Sequence, residues 1–207
     1  MNLPNALTLA RIFLVPLLVV VLLTEFEGRL VLGVPKELVA AAIFGLASLT
    51  DWLDGYLARR RRQVTWLGQV LDPIADKLLT SAAFISLVQL DLAPAWMVAL
   101  IIGREFAITA LRSLAYAKGI IIPASPLGKI KMASQVTAIL LLIIGWGPLP
   151  WLTPIGHAAL WVVMVAAVVS AADYYRRFLA LSNARVVDVN VARERGRDDA
   201  VKDTRAG

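Results

Sequence analysis

The chain has 207 residues, 59% of them hydrophobic, and a mean hydropathy of +0.73. Soluble domains are about 45–50% apolar, so an ordinary soluble globule is excluded and a membrane protein is expected. The absence of cysteine excludes a disulfide framework, a thiolate nucleophile and a cysteine zinc site, and the net charge of +6 suits contact with anionic lipid.

Six apolar runs follow in chain order, roughly 5–24, 37–58, 67–90, 93–117, 127–145 and 152–172. A helix needs about 20 apolar residues to cross a bilayer core. Strands of membrane β-barrels alternate in segments of roughly ten residues; these runs are longer and do not alternate. The predicted fold is therefore all-α, a polytopic bundle of six transmembrane helices. The first run has no basic segment ahead of it and no small-residue cleavage site behind it, so it is expected to remain as a helix.

Positive charge orients the bundle. Arg59 to Arg62 follow the second run, Lys118 ends the fourth, Lys129 and Lys131 begin the fifth, and Arg176 and Arg177 follow the sixth. The opposite connections hold only Arg29 and Lys36. The positive-inside rule puts both termini and the 59–66 and 118–126 connections in the cytoplasm. From Asn183 the chain reads NARVVDVNVARERGRDDAVKDTRAG, polar and of mixed charge. It is expected to be a mobile cytoplasmic tail over 183–207, outside a six-helix domain over 1–182.

Four aspartates interrupt this apolar pattern. Asp51 and Asp54 are three apart; Gly68, Asp72 and Asp76 form an i, i+4, i+8 row. Each set shares a helix face. Gly55 and Ala58 fall at about +40° and −20° from Asp51 at 100° per residue, and their small side chains leave room for a ligand. Carboxylates this close repel unless a cation intervenes, and hard oxygen ligands suit Mg²⁺ or Mn²⁺. Four carboxylates can hold two such ions, which clamp the attacking and leaving oxygens of a phosphoryl transfer. Structural ion pairs with Arg59 to Arg62 or Lys77, and an ion or proton pathway of a transporter, are the competing readings of the acids.

The stretches 51–59 and 68–76 fit D-x-x-D-G-x-x-A-R, eight residues, G-x-x-x-D-x-x-x-D. This resembles the signature of the CDP-alcohol phosphotransferase family, with all eight defined residues present. NLPNALTLARI at the start, GREFAITALRSLA from Gly103 and SPLGKIKMASQ from Ser125 are similar to the branch that forms phosphatidylglycerophosphate. The resemblance implies a CDP-alcohol phosphotransferase-like bundle, an integral protein of a bacterial cytoplasmic membrane that works as a homodimer and has no nucleic-acid partner. It implies CDP-diacylglycerol as donor, an alcohol attacking the β-phosphorus, CMP leaving, two Mg²⁺ or Mn²⁺ ions on Asp51, Asp54, Asp72 and Asp76, and Asp76 as general base. Asp76 lies one turn deeper than Asp72, where a carboxylate can also accept a hydroxyl proton. Lys77 points about 100° away from it on a helical wheel and is given no role. Gly55, Ala58 and Gly68 let the donor approach, Arg59 suits its diphosphate, and Thr65 resembles a nucleotide-contacting position.

The acceptor must be read from other residues. A phosphate-bearing alcohol needs fixed cations, and Arg104 and Arg112 lie inside an apolar run. Arg112 shares a stripe with Thr109 and Glu105, so Glu105 is expected to orient or neutralise it. Ser125 and Pro126 suit a helix start, which attracts anions, and Lys129 and Lys131 follow. These cations suit sn-glycerol 3-phosphate, with an inositol phosphate as the competing acceptor. Asn5 and Thr8, with Arg11, fall on one arc of the first helix, where they can meet the donor's phosphates; capping explains Asn5 equally well. His157, the only histidine, is expected to be structural. Trp146, Trp151 and Trp161 read as an interfacial belt.

Overall fold

The computed structural model describes the backbone of residues 3–25, 30–31, 33–61, 66–117 and 126–206, and side chains within 9–25, 30–31, 33–50, 74–117 and 131–179. Each of the six apolar runs corresponds to one helix: α1 (Leu3–Leu23), α2 (Lys36–Arg61), α3 (Trp66–Gln89), α4 (Ala95–Ala117), α5 (Pro126–Trp146) and α6 (Thr153–Ala206). A small hairpin of β1 (Leu30–Val31) and β2 (Val34–Pro35) joins α1 to α2, with Val31 paired to Val34. Gly33 at φ +82° supplies the left-handed backbone that so short a reversal needs.

Two expectations go beyond what is found. Through the stretch after Asn183, expected to be a mobile tail, the backbone of α6 continues to Ala206. That stretch contains no proline and only Gly196 before the terminus, so nothing stops a helix that is already nucleated upstream from propagating. Six membrane crossings are also more than the helices themselves establish. Among the described residues, one segment, Pro150–Leu179, is long and apolar enough to cross a membrane, with a mean hydropathy of 2.0; Leu9–Leu23 and Lys131–Trp146 are shorter apolar helices. α4 has the length, but it carries Arg104, Glu105 and Arg112.

The helices pack in a ring whose order is not that of the chain. α1 lies on α2 and α3, α2 on α5, α5 on α6, α6 on α4, and α4 on α3. Although consecutive, α2 and α3 touch each other over a shorter stretch than each shares with α1. One core joins all six through Leu18, Phe44, Phe84, Met97, Ile139 and Leu160. α3 closes against this core with a Schellman turn. Asp91, at φ +57°, donates its N–H to Val88 O (3.0 Å), and Leu92 donates to Leu87 O (2.8 Å). Leu87 and Leu92 then meet in the core. Aspartate is among the few residues that tolerate this backbone.

Charge is found inside and apolar surface outside. Thr80, Lys131, Gln135 and Ser170 are buried near one end of the bundle, Lys36 and Glu37 near the other. Lys36 belongs to the interior rather than to an outer connection. Its ammonium donates to Leu22 O (3.2 Å) and Thr24 O (2.9 Å), satisfying carbonyls at the end of α1, and lies 4.9 Å from the centre of the Trp146 ring. Trp146 is thus tied to Lys36. Trp151 and Trp161 are exposed, and Trp161 meets Trp96 edge to face at 5.9 Å. Leu17, Leu46, Ile85, Leu114, Val162 and Val165 also face outward. His157 has its Nε2 3.0 Å from Leu92 O, which fits the structural role expected of it.

α5 and α6 approach closely at glycines. A Cβ on Gly145 would stand 2.7 Å from the Thr153 backbone nitrogen, and one on Gly156 3.1 Å from the Leu142 nitrogen. Small residues at such crossings let two backbones touch. Gly145→Ala and Gly156→Ala are therefore expected to lower stability in detergent by about 1–3 kcal/mol through overpacking. Gly45→Ala, whose new methyl would meet only the Leu140 side chain at 3.8 Å, is expected to be neutral or slightly stabilising. Thermal unfolding of the three variants checks this.

Candidate active site

The signature aspartates lie on two helices joined by only four residues. A connection this short between packed helices makes them run antiparallel. Asp51 and Asp76 are each ten residues from the facing helix ends, and Asp54 and Asp72 are seven and six residues away. At 1.5 Å per residue these positions form two levels, about 15 Å and about 10 Å from the connection. Only the Asp76 side chain belongs to the described set. It is half-buried, and its charge acts on Lys77 and Lys131. The side chains of Asp51, Asp54 and Asp72 lie outside that set, as do those of Asn5, Thr8, Ala58, Arg59 and Lys129 and the surroundings of Gly55 and Gly68; Thr65 is outside the described residues altogether. Among the described side chains no three potential ligands gather. The donor set itself fits a hard divalent ion: four carboxylates, no nitrogen or sulfur, at matched levels on adjacent helices.

Beside Asp76 stands a network of cations from α3, α4 and α5, tied to α6. Glu105 on α4 is its centre. Its carboxylate pairs with Lys131 of α5, and its Oε1 accepts from Arg104 Nη1 at 3.2 Å. Arg104 also donates through Nε to Ala167 O (3.3 Å) and through Nη2 to Ser170 Oγ (2.7 Å), both on α6. Thr109, one turn beyond Glu105, donates to its backbone carbonyl at 2.8 Å and accepts from Lys77 Nζ of α3. Lys77 also lies 5.9 Å from the Phe106 ring centre. In this cluster the described side chains comprise four cations, Lys77, Arg104, Arg112 and Lys131, and two carboxylates, Asp76 and Glu105. The excess positive charge suits an anionic substrate.

The partnership expected within α4 is not the one formed. Glu105 pairs with Arg104 and Lys131, not with Arg112. Arg112 is exposed, and its guanidinium carbon lies 5.7 Å from the Tyr174 ring centre. The Tyr174 hydroxyl is buried without a hydrogen-bond partner among the described residues. Contacts between helices outweigh the same-helix stripe because Lys131 and Glu105 face each other inside the bundle, whereas Arg112 sits nearer the open end of α4. Lys77 is the residue that the sequence pattern missed. Its Cα direction turns away from the Asp row, but its long stem carries the ammonium across to α4. Its position directly after Asp76 was the available signal.

Known proteins resemble this chain over most of its length. The family described as CDP-alcohol phosphatidyltransferase matches residues 1–192. The chain belongs to the CDP-alcohol phosphatidyltransferase family. A Bacillus subtilis protein named CDP-diacylglycerol–glycerol-3-phosphate 3-phosphatidyltransferase is 47% identical over 182 residues, covering 85% of this chain and 94% of its own. A Rickettsia typhi protein of the same name is 35% identical over 177 residues, with coverage of 84% and 96%. A Mycobacterium tuberculosis protein named probable phosphatidylglycerophosphate synthase is 42% identical over 182 residues, with coverage of 86% and 82%. Members of the family are generally divalent-metal dependent.

The two arginines of α4 should separate experimentally. Arg104 is bonded to α6 through two contacts and to Glu105 through a third, so Arg104→Ala is expected to lower the unfolding temperature markedly by removing the tie between α4 and α6. Arg112→Ala, on an exposed residue, should leave the unfolding temperature near that of the parent. It should instead lower kcat/KM for a phosphate-bearing acceptor roughly 10- to 150-fold, the worth of a charge-assisted bond. Paired melting curves and acceptor titrations check both.

Proposed function

We propose that the chain transfers the phosphatidyl group of CDP-diacylglycerol to sn-glycerol 3-phosphate, giving phosphatidylglycerophosphate and CMP. The observation that carries this reading is the placement of Asp76, last residue of the family signature, within the electrostatic reach of Lys77 and Lys131. Donor machinery and an anion-binding cluster therefore adjoin. The names of the relatives from Bacillus subtilis and Rickettsia typhi support the same donor and acceptor. An inositol phosphate would suit the cations equally well, and the relatives' names favour glycerol 3-phosphate over it. Family membership removes the support for an ion transporter.

The chemistry follows from the residues. The free hydroxyl of glycerol 3-phosphate attacks the β-phosphorus, and its proton passes to the Asp76 carboxylate. The bond from that phosphorus to the bridging oxygen breaks, and CMP leaves with the electron pair. Asp51, Asp54, Asp72 and Asp76 would hold two Mg²⁺ or Mn²⁺ ions, which when bound supply positive charge to the attacking and leaving oxygens. Arg59 would neutralise the diphosphate, and Gly55, Ala58 and Gly68 would admit the nucleotide together with Asn5, Thr8 and Thr65. Lys131, Lys129 and Arg112 would receive the acceptor's phosphate, with Arg104 fixing the wall behind them.

On this reading the protein works in a bacterial cytoplasmic membrane, with six spans and the site towards the cytoplasm, as a homodimer by the family resemblance. The outward-facing apolar side chains and the Lys and Arg asymmetry along the chain support the setting.

The direct test supplies purified protein with CDP-diacylglycerol, Mg²⁺ and either labelled glycerol 3-phosphate or an inositol phosphate, and follows CMP. Rapid CMP release with glycerol 3-phosphate is expected, lost in excess EDTA. Asp76→Asn should reduce turnover by about 10²-fold or more, since general-base assistance is worth about 10²–10⁴. Near-normal turnover in that variant would refute the base assignment, and release only with the inositol phosphate would refute the acceptor.

For topology, single cysteines enter a chain that has none. One at Gln63 or Ser182 should react only with reagents that reach the cytoplasm, and one at Thr153 with external reagents. The reverse pattern would put the site on the wrong face.

A further inference from the structure

Glu105 occupies the place where the acceptor's phosphate is wanted. It is the partner found for Lys131 among the described residues, and Lys131 is only 5% exposed. The same carboxylate holds Arg104, and the backbone carbonyl of Glu105 takes the Thr109 hydroxyl that accepts from Lys77. One residue therefore organises cations from α3, α4 and α5. The two side-chain pairs differ in what else is available. Arg104 keeps Ala167 and Ser170 if Glu105 moves. Lys131 is buried and would lose the carboxylate found paired with it among the described residues, which is disfavoured for an ammonium. A phosphate monoester brings up to two negative charges and three acceptor oxygens, so it can replace a single carboxylate at Lys131 with gain.

We propose that Glu105 is an exchangeable counter-ion of the acceptor site. It neutralises Lys131 in the free protein, yields Lys131 to the acceptor's phosphate on binding, and stays with Arg104. By competing for Lys131 it sets the charge an acceptor must carry to enter, so neutral alcohols and weak anions are turned away. This rests on the phosphate-bearing acceptor read above.

The test uses the full chain in detergent–lipid micelles as wild type, Glu105→Gln and Glu105→Asp. Affinity for inorganic phosphate is read from the rise of the unfolding temperature with phosphate concentration, which requires no turnover. In Glu105→Gln, phosphate should bind about tenfold more tightly, in line with the loss of a competing charge-assisted contact, and the weak monoanion chloride should begin to inhibit. KM for glycerol 3-phosphate and kcat should fall together, because the phosphate-bearing product also leaves more slowly. Glu105→Asp, whose shorter arm cannot span both cations, should move the same way by less. A Glu105→Gln protein that folds only when phosphate is present, and not in chloride of equal ionic strength, would support the exchange equally. Folded variants with unchanged phosphate affinity and KM, or a Glu105→Gln protein that phosphate does not rescue, would overturn it. A wild type that binds phosphate but releases no CMP would count against the transferase reading and leave the exchange standing on the binding data.

Discussion

A charge inside an apolar bundle persists only where an opposite charge or a set of hydrogen bonds meets it. The shared carboxylate of Glu105 meets that requirement for two cations at once, and the arrangement of α3 to α6 at this end of the bundle turns on it. With the bonds to Ala167 and Ser170, it lets Arg104 sit one turn past the fully buried Ile101, and it lets Lys131 sit one turn before the buried Gln135. Lys131 and Glu105 come from different helices, so their pairing bridges α5 and α4, which share little other contact. Arg104 then carries the constraint on to α6 through Ala167 and Ser170. The bundle is divided along its length as a consequence. An apolar half contains Phe44, Phe84, Met97 and Leu142. A polar half contains Asp76, Lys77, Glu105 and Lys131.

The ring order makes that division useful. α1 shares its longest contacts with α3 and α2, and α5 with α6. The latter pair is drawn tight where Gly145 and Gly156 bring the backbones together. α2 and α3 touch less, yet they carry all four signature aspartates. The two acid-bearing helices thus meet each other less than each meets α1, and they are held by α1 on one side and by α4 and α5 on the other. On the proposed reading, a nucleotide enters between two helices that pack lightly on each other, which avoids displacing well-packed side chains.

The sequence made some of this legible and concealed the rest. The six helices were visible because apolar runs of helical length need no partner to be recognised. The Asp rows were visible because their spacing is a property of one helix at a time. Glu105, Lys77 and Lys36 were misjudged for the opposite reason: their partners are distant in the chain. Glu105 was matched to Arg112 by a stripe on its own helix, but its partners include Lys131, which only the packing of α4 near α5 brings close. Lys77 was judged by the direction of its Cα–Cβ bond, whereas a four-carbon stem reaches well off that axis. Lys36 looked like a surface charge in a connection. It caps α1 because the hairpin turns the chain back over that helix's last carbonyls. In the stretch after Asn183 the polarity that marks a tail does not by itself end a helix, in the absence of proline and with an apolar helix already in place before it.

Counting along the helices relates these parts to one another. From the end of α4 at Ala117, Arg112 is five residues in, Thr109 eight, Glu105 twelve and Arg104 thirteen, or about 8, 12, 18 and 20 Å. Asp76 is ten residues from its own helix end, about 15 Å, between Thr109 and Glu105. Lys77 reaches Thr109 at this level, which shows that the two scales correspond. Arg112, the shallowest of the four, is the exposed one, and Arg104, the deepest, is the one fully engaged with neighbouring helices. On the proposed reading, an acceptor coming along α4 from Ala117 would meet Arg112 before Arg104. A small three-carbon phosphate whose anion has reached Lys131 has its hydroxyls within a few ångströms of that point, and the charge of Asp76 acts on the same ammonium. A much longer acceptor held at Lys131 would carry its hydroxyl further from that cation. On this reading, the position of the cation that receives the phosphate would act as a ruler for the alcohol, independently of any contact to the alcohol's carbon chain.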